Sequence, residues 1–101
     1  MRPLLPGDLD AAVRLALPLR ADQRAGALRL LLQQADTADR YRKRLGRAHP
    51  AYGDGSLMAA AQGGARLPLP AYCNRAYCTT LASVLAAIEL WRRRETNDQK
   101  P

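Results

Sequence analysis

Phenylalanine is absent from this chain of 101 residues, and aromatic residues make up only 5% of it. Hydrophobic residues nevertheless reach 48%, so the core has to be built mainly from leucine and alanine. Small and aliphatic side chains of this kind suit helices that pack closely together. The length is near the common size of one domain. We therefore predict a single, small, all-α domain.

Cysteine and histidine are also scarce. Cys73 and Cys78 are the only cysteines, and a separation of five residues puts them on different faces of a helix. We expect both to be small, buried or half-buried hydrophobic residues. The single histidine, His49, rules out a zinc site built on histidine pairs within one chain. A site joining His49, both cysteines and a carboxylate is not favoured, because the usual two-residue cysteine spacing is missing. No cofactor is expected.

Long apolar runs are missing as well. No stretch approaches the roughly 20 apolar residues of a membrane span, and the amino terminus lacks the apolar run of a signal peptide. We expect a cytoplasmic protein without a membrane partner. Sixteen Lys and Arg face nine Asp and Glu, which leaves a net charge of +7 and a pI near 10.3. Such an excess favours an anionic partner, although a solvated basic surface remains the plainer interpretation.

Apolar periodicity and capping residues predict four helices, two long and two short, around a central Gly/Pro connector. The first is expected to begin at an Asp8 cap and to end at Pro18, and the second to begin near Asp22 and to stop at Gly46. The second helix carries an apolar stripe made of Leu28, Leu31, Leu32, Ala35, Ala38 and Leu45.

A short third helix is predicted from Leu57 to Gln62, capped by Ser56 or Asp54. Gly63-Gly64 should end it, and residues 65–71 should be extended. The fourth helix should follow an Asn74 cap and end in Arg92, Arg93 and Arg94. Its predicted buried face consists of Tyr77, Leu81, Val84, Leu85, Ile88 and Trp91. We assign residues 1–95 to one helical domain and residues 96–101 to a flexible polar tail.

The densest charge lies in the last turns of the second helix and just beyond it. Two groups of cations are candidate DNA-binding residues: Arg40, Arg42, Lys43, Arg44 and Arg47, and then Arg92, Arg93 and Arg94. Arginine suits phosphate recognition through its planar guanidinium, so we expect non-specific, salt-sensitive contact with double-stranded DNA. Cations at a helix C-terminus also offset the helix dipole, which accounts for part of each group but not for Arg47. The two groups could lie together or at opposite ends of a helical hairpin.

Catalytic motifs are lacking. Gly53 and Gly55 precede a helix start, but no Lys-Ser/Thr pair follows and no strand precedes them, so a capping turn is favoured over a phosphate-binding loop. The acidic residues Asp8 and Asp10 suit a helix start. Asp36 and Asp39 each precede a cation by four residues, as in surface ion pairs. We predict that the protein is not an enzyme.

Three stretches carry a resemblance to a known family: RPLLPGDL near the start, DRYRKRLGR from Asp39 to Arg47, and GRAHPAYGDGSLMAAA from Gly46 to Ala61. They resemble the small terminase subunit of alphaproteobacterial gene transfer agents and prophage-like clusters, over about two-thirds of the chain. The resemblance implies a helical DNA-packaging factor that assembles as a homo-oligomeric ring and recruits or stimulates the large terminase. Larger members carry a separate helix-turn-helix domain, for which this chain has no room.

By position, the resemblance implies that the large subunit contacts the end of the last helix, where Trp91, Glu95 and Asp98 are the candidate partner-binding residues. An alternative function comes from the charge alone. A small basic regulator or protein-interaction module would place the same arginines against an acidic protein partner.

Overall fold

The computed structural model describes residues 2–62 and 74–98. Within these residues the chain forms four α-helices and no strand, which confirms the predicted all-α fold with two long and two short helices. They are α1 (Pro6–Ala16), α2 (Ala21–Leu45), α3 (Leu57–Ala61) and α4 (Arg75–Asp98). The connector, residues 46–56, joins α2 to α3. None of the described helices is both long enough and apolar enough to cross a bilayer.

The start of α1 differs from the prediction. The helix begins at Pro6, whose fixed φ and missing N–H suit the first helical position. Asp8 is therefore not the N-cap but the third residue of the helix. Its Oδ2 accepts a hydrogen bond of 2.8 Å from the backbone N–H of Leu5, which is the N-cap residue.

Glycine and small polar residues set the other helix ends as predicted. Gly46 follows α2 with a φ of 71° and donates its N–H to the carbonyl of Arg42 at 2.7 Å, as expected of a left-handed C-cap. The Ser56 hydroxyl accepts from the N–H of Ala59 at 3.1 Å to cap α3. Asn74 caps α4, because its Oδ1 accepts from the N–H of Ala76 at 2.8 Å.

The last helix is longer than predicted. α4 continues to Asp98, four residues past the expected end at Arg94, so residues 96–98 of the predicted polar tail belong to it. The predicted stop at Gly63-Gly64 and the extended stretch 65–71 lie outside the described residues.

Two contacts set the helix directions. Nε of Arg24, near the start of α2, donates to the carbonyl of Ala16 at the end of α1 at 3.2 Å. The hydroxyl of Tyr77, near the start of α4, donates to Oδ1 of Asp10 in α1 at 3.1 Å. Residues 83–94 of α4 then lie beside residues 21–32 of α2. In addition, Gly55 packs on Asp39 of α2, and its carbonyl accepts from the N–H of Arg2 ahead of α1. The start of α1 thus lies near the end of α2, and α2 is antiparallel to both α1 and α4.

The core lies between the four helices and is made of small and aliphatic side chains. Its buried members are Ala11, Ala12, Val13, Ala16, Leu28, Leu31, Leu32, Ala35, Leu57, Ala60, Ala61, Tyr77 and Val84. Two predicted core residues, Leu45 and Leu85, are instead exposed. Leu45 ends its helix, and Leu85 follows the buried Val84, so its side chain points about 100° away around α4. Asp39 and Thr80 are buried instead.

Candidate nucleic-acid interface

Four cations project from the C-terminal end of α2 and the connector. We call this set, Arg40, Lys43, Arg44 and Arg47, the α2 basic end. Arg40 is 81% exposed and pairs with Asp36 at 3.0 Å, and Lys43 is 69% exposed and pairs with Asp39 at 3.0 Å. Both are i,i+4 pairs of the predicted kind. Arg44 and Arg47 are exposed and form no ion pair with any residue in 2–62 or 74–98. The Arg40–Asp36 pair is weak because Arg40 is so exposed, which leaves its guanidinium available to an external anion, whereas Lys43 is exposed but also binds the buried Asp39.

Arg42, the fifth cation predicted to bind DNA, is used inside the protein. Its Nη2 donates to Oδ1 of Asp39 at 3.0 Å, and its Nε donates to the backbone carbonyl of Asp54 at 3.1 Å. Only 33% of its side chain is exposed. The guanidinium therefore holds the connector against α2, and we remove Arg42 from the DNA-binding set.

Asp39 was predicted to be a surface charge, but its side chain is only 3% exposed. Burial alone would raise the pKa of this carboxyl, yet the hydrogen bonds from Lys43 and Arg42 outweigh burial and hold its pKa below the ordinary value. A signal was present in the sequence: Asp39 continues the series Leu28, Leu32, Ala35 at helical spacing. A buried carboxylate in contact with two cations is an anchor for this end of α2.

The first half of the connector is a closed loop around His49. The backbone N–H and carbonyl of His49 pair with those of Gly53, at 2.8 and 3.1 Å. Its Nδ1 accepts from the N–H groups of Ala51 and Tyr52, at 3.0 and 3.1 Å. The ring stacks on Tyr52 and meets Tyr41 edge-on, with centroid separations of 4.7 and 4.9 Å. Because Nδ1 accepts, the neutral ring carries its proton on Nε2.

The second half of the connector packs against α2 and the amino-terminal segment. Gly55 has a φ of 98°, and a Cβ there would lie 2.8 Å from Cα of Asp39. The carboxylate of Asp54 accepts from the N–H of Ser56 at 3.0 Å and pairs with Arg2 at 3.3 Å. The hydrogen bonds from Ser56 are the main cause that holds the pKa of Asp54 below its ordinary value, and the charge of Arg2 adds to it. The predicted capping turn is thus confirmed.

The second predicted group of cations lies at the C-terminal end of α4. We call Arg92, Arg93 and Arg94 the α4 basic end. All three are exposed, and Arg93 pairs with Glu89 at 2.6 Å. Since α4 is antiparallel to α2, this group lies near the start of α2, opposite the α2 basic end. Arg29 of α2 lines the same pocket as Arg94. At a rise of 1.5 Å per residue, Arg29 is about 22 Å along the helix axis from Arg44 of the α2 basic end.

The predicted partner-binding residues occupy the same end of α4. Trp91 is half-buried and packs against the core, and Glu95 is half-buried in the next turn. Asp98 is the last residue of the helix. Trp91 therefore has a structural role whatever else it contacts.

An apolar groove of about 450 Å³ runs between the first half of α2 and the second half of α4. We call it the α2–α4 groove. Most of its lining is alanine, leucine and glycine, together with Trp91, and two arginines, Arg29 and Arg94, also line it. The complete lining is Ala21, Ala25, Gly26, Arg29, Leu32, Ser83, Ala86, Ala87, Leu90, Trp91 and Arg94. No sequence pattern identified it, because it depends on which stretches of two helices lie side by side.

Among the described residues, no group of three or more His, Cys, Asp or Glu side chains is arranged to hold a metal ion. Cys78 is exposed rather than buried or half-buried as predicted, since it follows the buried Tyr77 and so lies on a different side of α4. Cys73 lies outside the described residues.

A family profile described as "Domain of unknown function (DUF7742)" matches residues 2–88. Comparison with curated proteins and with solved structures gave no match. The matched region holds the first three helices, the connector with its Asp39–Arg42–Asp54 contacts, and α4 as far as Ile88. It stops before the α4 basic end. The chain thus belongs to the DUF7742 family.

Proposed function

We propose that this protein is a non-enzymatic DNA-packaging adaptor that oligomerises, contacts DNA without sequence preference and recruits or stimulates a large terminase. The observation that carries the DNA part is the α2 basic end. Its four cations are exposed and lie on one helix end and the loop next to it. The half-buried Arg42, which pairs with the buried Asp39, holds that loop in place. The adaptor role is supported by the resemblance of the connector and its flanks to small terminases.

The chemistry of the α2 basic end supports phosphate contact rather than base readout. Contacts to phosphate oxygens position a protein on DNA but carry no sequence information. Each phosphate neutralised releases counterions, and the logarithm of the binding constant falls with the logarithm of salt by about 0.9 per contact. Four cations therefore correspond to a slope of about 3 to 4. Non-specific binding of this kind suits the packaging of arbitrary DNA.

The test compares two double variants that lose the same number of charges. Fluorescence anisotropy would measure binding to a labelled duplex of random sequence over a series of salt concentrations. We expect Arg44→Gln/Arg47→Gln to weaken binding and to lower the salt slope by about 2. Arg20→Gln/Arg29→Gln, which removes two charges from the opposite end of α2, should leave the slope nearly unchanged. Equal losses in both variants would show that net charge alone attracts DNA, and no loss in either would remove the DNA interface.

Self-association is supported by leucines on the surface. Leu30 and Leu85 are each about half exposed and do not line the α2–α4 groove; exposed apolar residues mark a subunit contact where they form a contiguous patch. Sedimentation velocity at micromolar concentrations would measure the oligomeric state. An oligomer that dissociates on Leu30→Glu or Leu85→Glu is expected, and a strict monomer would remove the ring from the proposal.

Recruitment of the large subunit is proposed for the end of α4. Glu95→Lys and Asp98→Lys reverse charges there and leave Trp91 itself unchanged. Both should reduce co-purification with a co-expressed large terminase, while the DNA affinity is retained. Co-purification that is unaffected by either change would place the contact elsewhere.

A second candidate function is a module that binds an acidic protein partner. The observation that favours it is the α2–α4 groove, in which two arginines accompany an apolar surface. The groove lies at the other end of α2 from the α2 basic end, so the two candidate functions use different residues and can be tested separately.

A further inference from the structure

The α2–α4 groove has the form of a seat for a third helix. Small residues line it from both sides, Ala21, Ala25 and Gly26 from α2 and Ala86 and Ala87 from α4. Helices approach to 8–10 Å or less when the residues at the contact are small. The α2 lining extends from Ala21 to Leu32, which is about 16 Å of helix axis. That length matches about three turns of a docked helix.

Gly26 gives independent support. It lies inside α2, where glycine costs about 1 kcal/mol relative to alanine. No local reason requires it, since its φ is not positive and a Cβ built there would meet nothing within 4 Å. The space beside Gly26 is the open groove itself. A missing side chain at this point lets another backbone approach α2 closely.

The charge of the groove favours a different protein over a second copy of this chain as the molecule that docks in it. Arg29 and Arg94 line the groove from opposite helices, and Arg92 and Arg93 lie in the adjoining turn. A second copy that docked its own α2 or α4 here would bring Arg29 or Arg94 against the same arginines of the groove, so like charges oppose it at this site, whereas the self-association proposed above uses leucines outside the groove. A partner with carboxylates beside its apolar stripe would instead form ion pairs across both rims.

We propose that the α2–α4 groove docks an amphipathic helix of a different protein, with leucine-like side chains facing Gly26 and Trp91 and acidic residues meeting Arg29 and Arg94. The docked segment is about three turns long. This inference deepens the second candidate function and is independent of DNA binding by the α2 basic end. The docking mode is that of a helix in a groove, in which anchors recur at helical spacing.

Trp91 supplies the measurement, because it is the only tryptophan of the chain and lines the groove. The probes are two synthetic helical peptides of about 18 residues, long enough to be partly helical in water. Both carry leucine along one face, and one has glutamate and the other lysine on the remaining positions. We expect the glutamate peptide to change Trp91 emission saturably and the lysine peptide to have no effect.

Variants test each part of the site. Gly26→Leu fills the groove and should abolish the response to the glutamate peptide, whereas Ala82→Leu adds the same side chain type to an exposed position of α4 outside the groove and should not. Arg29→Glu/Arg94→Glu should weaken binding of the glutamate peptide about tenfold or more and admit the lysine peptide. Circular dichroism checks that each variant is folded, and duplex anisotropy checks that Gly26→Leu and Ala82→Leu, which change no charge, retain DNA binding.

Four results would overturn the proposal. They are no emission change with either peptide, equal binding of both peptides, a response that survives Gly26→Leu, and a change of Trp91 emission with protein concentration alone that Gly26→Leu abolishes. The last would identify a second copy as the occupant. None of them affects the DNA measurements, so failure here is distinct from failure of the DNA-binding proposal.

Discussion

The backbone N–H of Met58 donates a hydrogen bond of 2.9 Å to Oδ1 of Asp8, fifty residues earlier in the chain. The other oxygen of the same carboxylate accepts from the N–H of Leu5 at 2.8 Å. A helix leaves its first four N–H groups without partners inside the helix. One buried carboxylate therefore satisfies N-terminal donors of α1 and α3 together and fixes the two helix starts beside each other.

Replacing Asp8 by alanine should be among the most damaging single changes outside the apolar core. It would leave two N–H groups without their charged acceptor, in a site that is only 4% exposed. Hydrogen bonds to charged groups contribute about 1.5–3 kcal/mol each, so we expect the loss of two to lower the free energy of unfolding by about 3–6 kcal/mol, measured by urea denaturation. Asp22→Asn, an exposed acidic control in α2, should change it by less than about 0.5 kcal/mol.

Replacing Gly55 or Gly26 by alanine should change the free energy of unfolding in opposite directions. Gly55→Ala places a Cβ at a φ of 98° and within 2.8 Å of the Asp39 backbone, so strain and steric clash should cost about 2 kcal/mol or more. Gly26→Ala meets open space and should raise the free energy of unfolding by about 0.5–1 kcal/mol. Thermal melts of both variants test the pair, and a stabilising Gly55→Ala would contradict the described packing.

Acid should unfold the connector end of the molecule. The folded-state pKa values of Asp39 and Asp54 both lie below their ordinary value. The stabilisation is therefore fully present above the unfolded pKa, about 3.9, and it is lost as pH falls through the lower folded values. Urea midpoints measured from pH 7 to pH 2 should fall steeply below about pH 4. Asp39→Asn should be less stable at pH 7 and show a flatter acid limb, and an identical pH profile in the variant would contradict the assignment.

Thr80 offers a change that should increase stability. Its side chain is fully buried, and its Oγ1 makes no hydrogen bond to any described residue. Replacing the hydroxyl by a methyl group of similar shape removes the cost of an unsatisfied polar group, about 1–3 kcal/mol. Thr80→Val should therefore raise the melting temperature, and Thr80→Ser, which keeps the hydroxyl and loses the methyl group, should lower it.

Local chemistry predicted much of this fold. Gly46, Ser56 and Asn74 were recognised as helix boundaries because capping depends on residues a few positions apart. The start of α1 was placed three positions too late, at an Asp8 cap rather than a Leu5 cap, because Pro6 was assigned to an extended lead-in and not to the first position of the helix. The periodicity of α2 and α4 identified the core-facing sides. It placed Leu45 in the core although Leu45 is the last residue of α2, and it included both Val84 and Leu85, which point about 100° apart around α4.

The candidate site was predicted less well than the fold. The number of cations at the end of α2 was evident from the sequence. It was not evident that Arg42 binds other groups of the protein while Arg40 and Arg44 face solvent. Arg42 reaches the carbonyl of Asp54 across the connector, and that contact exists only after the loop has folded back. The α2–α4 groove likewise depends on how two helices align along their length, which no pattern within either helix determines.

The antiparallel course of α2 and α4 has an electrical consequence. At physiological ionic strength the field of a surface charge decays over about 8 Å, while about 22 Å of helix separates Arg29 from Arg44. Salt therefore screens the cations near the start of α2 from those of the α2 basic end. A change of charge at one end of α2 therefore leaves the electrostatic potential at the other end almost unchanged, and substitutions at the two ends should act independently.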